Sequence, residues 1–145
     1  MVMELSHSKM GAELLRQILR CKEIDKHLSE SADLTVDEMH CLGVLYIERP
    51  MCAKTLSELL GLSATRTSKI LLSLDRRGSV TRTMDSADHR KEQIMLTENG
   101  RKTAEMILSL YTEIGNRLNV YGESAMNFSR LMRDSFQSGH QIESK

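Results

Sequence analysis

"LSELLGLSATRTSKILLSLDRRGSV", residues 56–80, is the stretch whose reading decides the fold. Leu56, Leu59 and Leu60 have the spacing of one packed face of a short helix, predicted to start behind a T-x-x-E capping box formed by Thr55 and Glu58. Gly61 suits a left-handed C-cap, and Ser63 suits the N-cap of the helix that follows. That second helix is predicted to run to about Arg77 and to stop at Gly78. Its period places Thr67, Ile70, Leu71 and Leu74 on a face that must bury. Thr65, Lys69, Leu72 and Arg76 fall on the opposite face, with Arg66 and Ser73 on one flank and Ser68 on the other. Two short helices joined by about three residues that include a glycine form a helix-turn-helix.

Working outward, the period changes from helical to alternating. "VTRTM" (80–84) and "EQIML" (92–96) read as two strands joined by the polar stretch 85–91. A hairpin directly behind the second helix of a helix-turn-helix makes a winged helix. Leu96 is expected to face the core. Thr97 then caps a helix carrying Ala104, Ile107, Leu108, Tyr111 and Leu118, and a last helix carries Ala125, Phe128, Leu131, Met132 and Phe136. Upstream, "TVDEMHCLGVLYIERP" (35–50) predicts a helix behind the capping box of Thr35 and Glu38, burying Met39, Leu42, Leu45 and Tyr46 and ending before Pro50. Residues 8–30 predict a long first helix with Met10, Leu14, Ile18, Cys21 and Leu28 on one stripe. The expected fold class is mainly α. A winged helix-turn-helix with a two-stranded wing occupies about residues 35–97 of a single domain spanning 1–145. The N- and C-terminal helices, 1–34 and 98–145, are expected to form a dimerisation region.

The totals agree with one globular domain: 145 residues, 40% hydrophobic and 28% charged, with one proline. No apolar stretch approaches the ~20 residues of a membrane span, and the N-terminus lacks the apolar core of a signal peptide, so a cytoplasmic protein is expected. Three widely spaced cysteines, Cys21, Cys41 and Cys52, form no C-x-x-C pair and suit a reducing compartment. His7, His27, His40, His89 and His140 have no metal-ligand spacing, so neither a metal nor another cofactor is expected. No nucleophile elbow, P-loop or dinucleotide fingerprint is present, and no catalytic residue is assigned. The zero net charge conceals an asymmetry. Lys54 to Lys91 holds eight Lys or Arg against four acids, a local excess of +4 that the remainder balances. A basic segment of this kind is the electrostatic footprint of a nucleic-acid binder.

Taken in order, Gly61-Leu62-Ser63, Gly78, Asp88-x-Arg90 and Leu96-Thr97-x-x-Gly100 make the chain resemble the multiple antibiotic resistance regulator (MarR) family of bacterial winged-helix repressors. The close match covers about residues 55–102, and the helix order fits the whole chain. Three positions depart from the family pattern. Ala64 stands where proline is frequent, Ser79 where an apolar residue is usual, and Leu72 where the outward face calls for a polar one. The resemblance implies a homodimer interlocked through the terminal helices. It also implies an Asp88–Arg90 pair at the wing tip, and release by a ligand bound near the dimer helices or by cysteine oxidation. The functional expectation is a sequence-specific transcriptional regulator, a repressor, bound to a pseudopalindromic operator.

The expected partners are double-stranded DNA, a second copy of the chain and a small apolar or phenolic effector, the last suggested by ten adaptable methionines. The expected DNA-binding residues are Ser63, Thr65, Arg66, Ser68, Lys69 and Arg76 on the recognition helix and Asp88, Arg90 and Lys91 on the wing. A recognition helix presents its N-terminal half to base edges, and arginine suits both guanine in the major groove and the negative potential of a narrow minor groove. A winged helix that docks a protein is the rival reading, for which an outward Leu72 speaks. A redox sensor is another. For it, Cys21 on the apolar stripe reads as inert core, Cys41 lies off its helix's main stripe, and Cys52 sits in a turn near Arg49 and Lys54 where a thiolate is stabilised.

Overall fold

The computed structural model describes residues 2–84, 87–88 and 91–117, without the side chains of 2–11, 13, 14, 17 and 117. The elements are α1 (Val2–Ser31), α2 (Val36–Ile47), α3 (Ala53–Leu60), α4 (Ala64–Arg76), β1 (Val80–Met84), β2 (Glu92–Leu96) and α5 (Glu98–Arg117). The chain divides into two compact units, Met1–Leu108 and Ser109–Lys145. Within the second, residues 109–117 are described, as the distal part of α5. The expected last helix around Ala125–Phe136, and Leu118, lie outside the described residues.

Local chemistry accounts for the helix limits. Thr35 and Glu38 form the reciprocal capping box of α2. The Thr35 hydroxyl accepts from the Glu38 N–H at 3.2 Å, and the Glu38 carboxylate accepts from the Thr35 N–H at 2.8 Å. Asp33, in the turn before α2, takes a left-handed conformation (φ 53°), which Asp tolerates better than most residues. The second expected capping box does not form. Helix α3 begins at Ala53 with Cys52 as its N-cap residue, so Thr55 already lies inside the helix. There its hydroxyl meets the Cys52 thiol at 3.3 Å. Helix α1 starts six residues earlier than the periodicity suggested, since nothing between Val2 and Ser8 breaks a helix.

The core lies where α2, α3 and α4 meet the root of the wing. Met39, Leu42, Leu56, Leu71, Leu74, Val80, Ile94 and Ile107 are all buried to 2% exposure or less. Each such side chain contributes about 1.5–3 kcal/mol of hydrophobic stabilisation. Helix α2 buries a wider face than a single stripe, because it packs against α1, α3 and α4. That buries Cys41, which the narrow stripe left out, while Tyr46 is only half-buried. Leu59 turns outward at 54% exposure and Leu60 is half-buried, so of that trio Leu56 alone is core. On α1, Leu28 is buried, but Ile18 and Cys21 are exposed rather than core. Of the described stripe residues, Leu28 is covered, next to α2, whereas Ile18 and Cys21 are not.

The wing is one antiparallel pair in register Val80↔Leu96, Thr81↔Met95, Arg82↔Ile94, Thr83↔Gln93 and Met84↔Glu92. A single bridge from Met51 to Ile94 adds a third edge that pattern reading did not foresee. Ile94 is the buried residue of β2 and Leu96 is half-buried. Ser79 is buried against the first turn of α5. Thr97 ties the two together: its N–H donates to the Ser79 carbonyl at 3.1 Å and its hydroxyl to the Gly78 carbonyl at 2.6 Å.

Candidate nucleic-acid interface

The α3–turn–α4 unit positions the site. Gly61 takes φ +65°, so its N–H reaches back to the Glu58 carbonyl and the Leu62 N–H to that of Ser57, closing α3. After three residues α4 begins, with the Ser63 hydroxyl accepting from the Arg66 N–H at 3.2 Å. Ser63 therefore acts as a cap. On the inner face Thr67, Ile70, Leu71 and Leu74 are buried, and the Thr67 hydroxyl donates to the Ser63 carbonyl at 3.0 Å. Helix α4 ends as Gly78, φ +70°, lets the Ser79 N–H bond the Leu74 carbonyl. The inner face is thus fixed by the core, and the outer face is fixed with it.

Thr65, Arg66, Ser68, Lys69 and Arg76 are all exposed on that outer face. Leu72 joins them at 46% exposure. An open cleft is lined by Lys69, Leu72, Ser73, Arg76 and Arg77. Three polar ties hold this side of α4 and its C-cap to the start of α2 and the turn before it. Arg66 pairs with Asp37, its Nε and Nη2 lying 2.6 and 2.5 Å from Asp37 Oδ2. Ser73 Oγ donates to Glu38 Oε1. Arg77 Nη1 donates to the Asp33 carbonyl at 2.9 Å. Burial pushes the Glu38 carboxyl up. The hydrogen bonds from Ser73 and Thr35 and the nearby Arg77 charge outweigh burial and leave it below its ordinary value of 4.5. No pattern along the chain signals the Asp37–Arg66 pair, whose partners lie 29 residues apart.

On the wing, Asp88 is half-buried and its carbonyl accepts from the Lys91 N–H at 2.9 Å, which closes a turn. Lys91 is exposed. Arg90 lies outside the described residues, and with it the expected pair with Asp88. Lower on the wing, Arg82 Nη1 meets Glu92 Oε2 at 3.2 Å. Among the described residues no group of three or more metal-ligating side chains gathers, and no helix is long and apolar enough to cross a membrane.

The cysteines occupy three environments. Burial, and the charge of Glu38 after it, push the Cys41 thiol up to about 12. The Thr55 hydroxyl, followed by N–H groups at the start of α3, holds the half-buried Cys52 thiol below its ordinary value. Cys21 is exposed.

No protein-family model matches the chain. SarZ of Staphylococcus saprophyticus, an HTH-type transcriptional regulator, is 26% identical over 113 residues, which is 78% of this chain and 77% of SarZ. Among solved structures, the MepR–DNA complex of S. aureus is similar with a TM-score of 0.68 at 24% identity, covering 88% of this chain and 96% of MepR. A MarR transcriptional regulator from Methanosarcina mazei is similar with a TM-score of 0.71 at 20% identity, covering 93% of this chain and 99% of that one.

Proposed function

We propose that this chain, which has the winged-helix fold of the MarR-family regulators, is a sequence-specific DNA-binding transcriptional regulator. It acts in the cytoplasm as a homodimeric repressor, it binds a pseudopalindromic operator, and a small apolar or phenolic effector releases it. The observation that carries this reading is the division of α4. Its inner face is locked into the core, while Thr65, Arg66, Ser68, Lys69 and Arg76 stand exposed together beside a wing. That is the geometry a helix needs to enter a major groove about 12 Å wide. Lys69 and Arg76 supply phosphate contacts, and Arg66 supplies guanine recognition. On the wing, Arg90 enters the minor groove with Asp88 orienting it and Lys91 on the adjacent phosphates.

Dimerisation draws support from α1, where Leu15, Ile18 and Leu19 expose 56, 44 and 51% of their surface at helical spacing. A dimer places two recognition helices about one turn of duplex apart, which is why the operator is a pseudopalindrome. The relatives support the DNA reading through their own activities: SarZ is a transcriptional regulator and MepR has been captured on DNA.

One observation favours a different occupant of the same face. Leu72 is a large apolar residue exposed between Lys69 and Arg76, as a protein-docking surface would have it. On DNA the same side chain suits a thymine methyl group. Duplex binding across a salt series separates the two. A DNA reader loses affinity steeply with salt, and Arg90→Ala lowers both affinity and slope. Salt-independent retention of a protein partner, with no duplex bound, would refute the DNA reading.

A further inference from the structure

The Asp37–Arg66 pair joins the first turn of α2 to the first turn of α4, on the edge of the proposed DNA face. Both contacts use one side of the guanidinium. Nε and Nη2 converge on Asp37 Oδ2 at 2.6 and 2.5 Å. The Arg66 side chain is nevertheless 62% exposed, against 23% for Asp37. The carboxylate is therefore the sheltered, fixed partner, favoured where it stands by the N-terminal end of α2. Among the described residues, Arg66 Nη1 has no hydrogen-bond or ion-pair partner. The end-on edge, Nη1 with the second hydrogen of Nη2, is left pointing away from the carboxylate. That edge carries the two parallel donors that N7 and O6 of guanine accept.

We infer that Asp37 is a positioning residue for base readout. It grips Arg66 side-on and leaves the end-on fork free for a guanine in the major groove. The inference rests on the DNA-binding reading above and adds to it a specificity determinant on α2, outside the helix-turn-helix. An unrestrained arginine samples many rotamers, and binding must remove part of that freedom. Holding the fork in advance reduces that cost, so losing Asp37 should weaken binding about tenfold. Arg77, gripped by the Asp33 carbonyl, and Ser73, gripped by Glu38, brace the same side of α4. They keep the roll of the helix constant when Asp37 is replaced.

The test is a double-mutant cycle with the full-length protein on the duplex that wild type selects. Asp37→Asn, Asp37→Glu and Arg66→Ala are compared singly, and Asp37→Asn is combined with Arg66→Ala. Each is also measured on duplexes carrying 7-deazaguanine at one guanine at a time. The expected result is that Asp37→Asn loses about tenfold in the wild-type background and nothing in the Arg66→Ala background. One guanine should be sensitive to loss of N7 in wild type, and that sensitivity should fade in Asp37→Asn and persist in Asp37→Glu. An equal loss in both backgrounds would make Asp37 a structural residue only. Tighter binding by Asp37→Asn would make it a competitor of DNA. Either result overturns the inference while leaving the DNA reading intact. If wild type selects no duplex, the DNA reading falls first and the inference falls with it.

Discussion

Gly100→Ala tests the packing that holds the wing to α5. A methyl group there would overlap the Ser79 carbonyl oxygen and lie 2.8 Å from its carbon and 3.1 Å from Ser79 Cα. The obstacle is backbone, so no rotamer change relieves it, and the first turn of α5 must move off the start of β1. Overpacking of this kind costs about 1–3 kcal/mol. The movement also strains the two Thr97 hydrogen bonds to Ser79 and Gly78, each worth about 0.5–1.5 kcal/mol. Alanine's better helix propensity returns about 1 kcal/mol. The balance is a destabilisation of about 3 kcal/mol, or a melting temperature lower by roughly 10 °C. Urea unfolding followed by far-UV circular dichroism, at fixed protomer concentration, measures it. Gly43→Ala in α2 is the control. An added Cβ there meets nothing within 4 Å, so it should stabilise by up to about 1 kcal/mol. Equal or greater stability of Gly100→Ala would refute the abutment of α5 on Ser79.

Other outcomes follow from the same geometry. The folded-state pKa of Glu38 lies below its ordinary value, so its contribution is present above about pH 4.5 and is lost as pH falls through the folded value. Urea titrations from neutral to acid pH should show that loss in wild type, and Glu38→Gln should flatten it; an unchanged pH profile would contradict the buried cap. In native protein an alkylating probe should modify Cys52 at neutral pH and leave Cys41, buried with its thiol at about 12, untouched until unfolding. Rapid native labelling of Cys41, read by peptide mass spectrometry, would contradict the burial. Lys69→Ala should weaken DNA binding uniformly across sequences and lower the salt slope by about one, whereas a sequence-dependent loss would assign Lys69 to base readout instead.

What the sequence made legible follows from how local each cause is. Thr67, Ile70, Leu71 and Leu74 could be assigned to the core because their period alone fixes one face of α4. The wing strands agree at both ends, 80–84 and 92–96, since alternation begins and stops at polar residues. Local signals misled where two readings share one pattern. The T-x-x-E at Thr55 looks like a cap but lies within α3, behind a Cys52 N-cap that no pattern marks. Cys41 needed the knowledge that α2 is covered by three helices. Ile18 and Cys21 share a stripe with buried Leu28 yet are exposed, so periodicity alone placed them in a core that the described residues do not build around them. The face of α4 was legible, but the Asp37 grip on Arg66 was not, since a contact across 29 residues leaves no trace in spacing.

Selection from a random duplex library at a fixed, stated salt concentration, with reduced full-length protein, decides whether this chain reads DNA sequence as a dimer. A dimeric sequence reader enriches an inverted repeat whose half-sites lie about 10 base pairs apart or a multiple of that, weakened for Arg90→Ala and Arg66→Ala. Enrichment of no sequence, under conditions where the protein is folded, would contradict that reading.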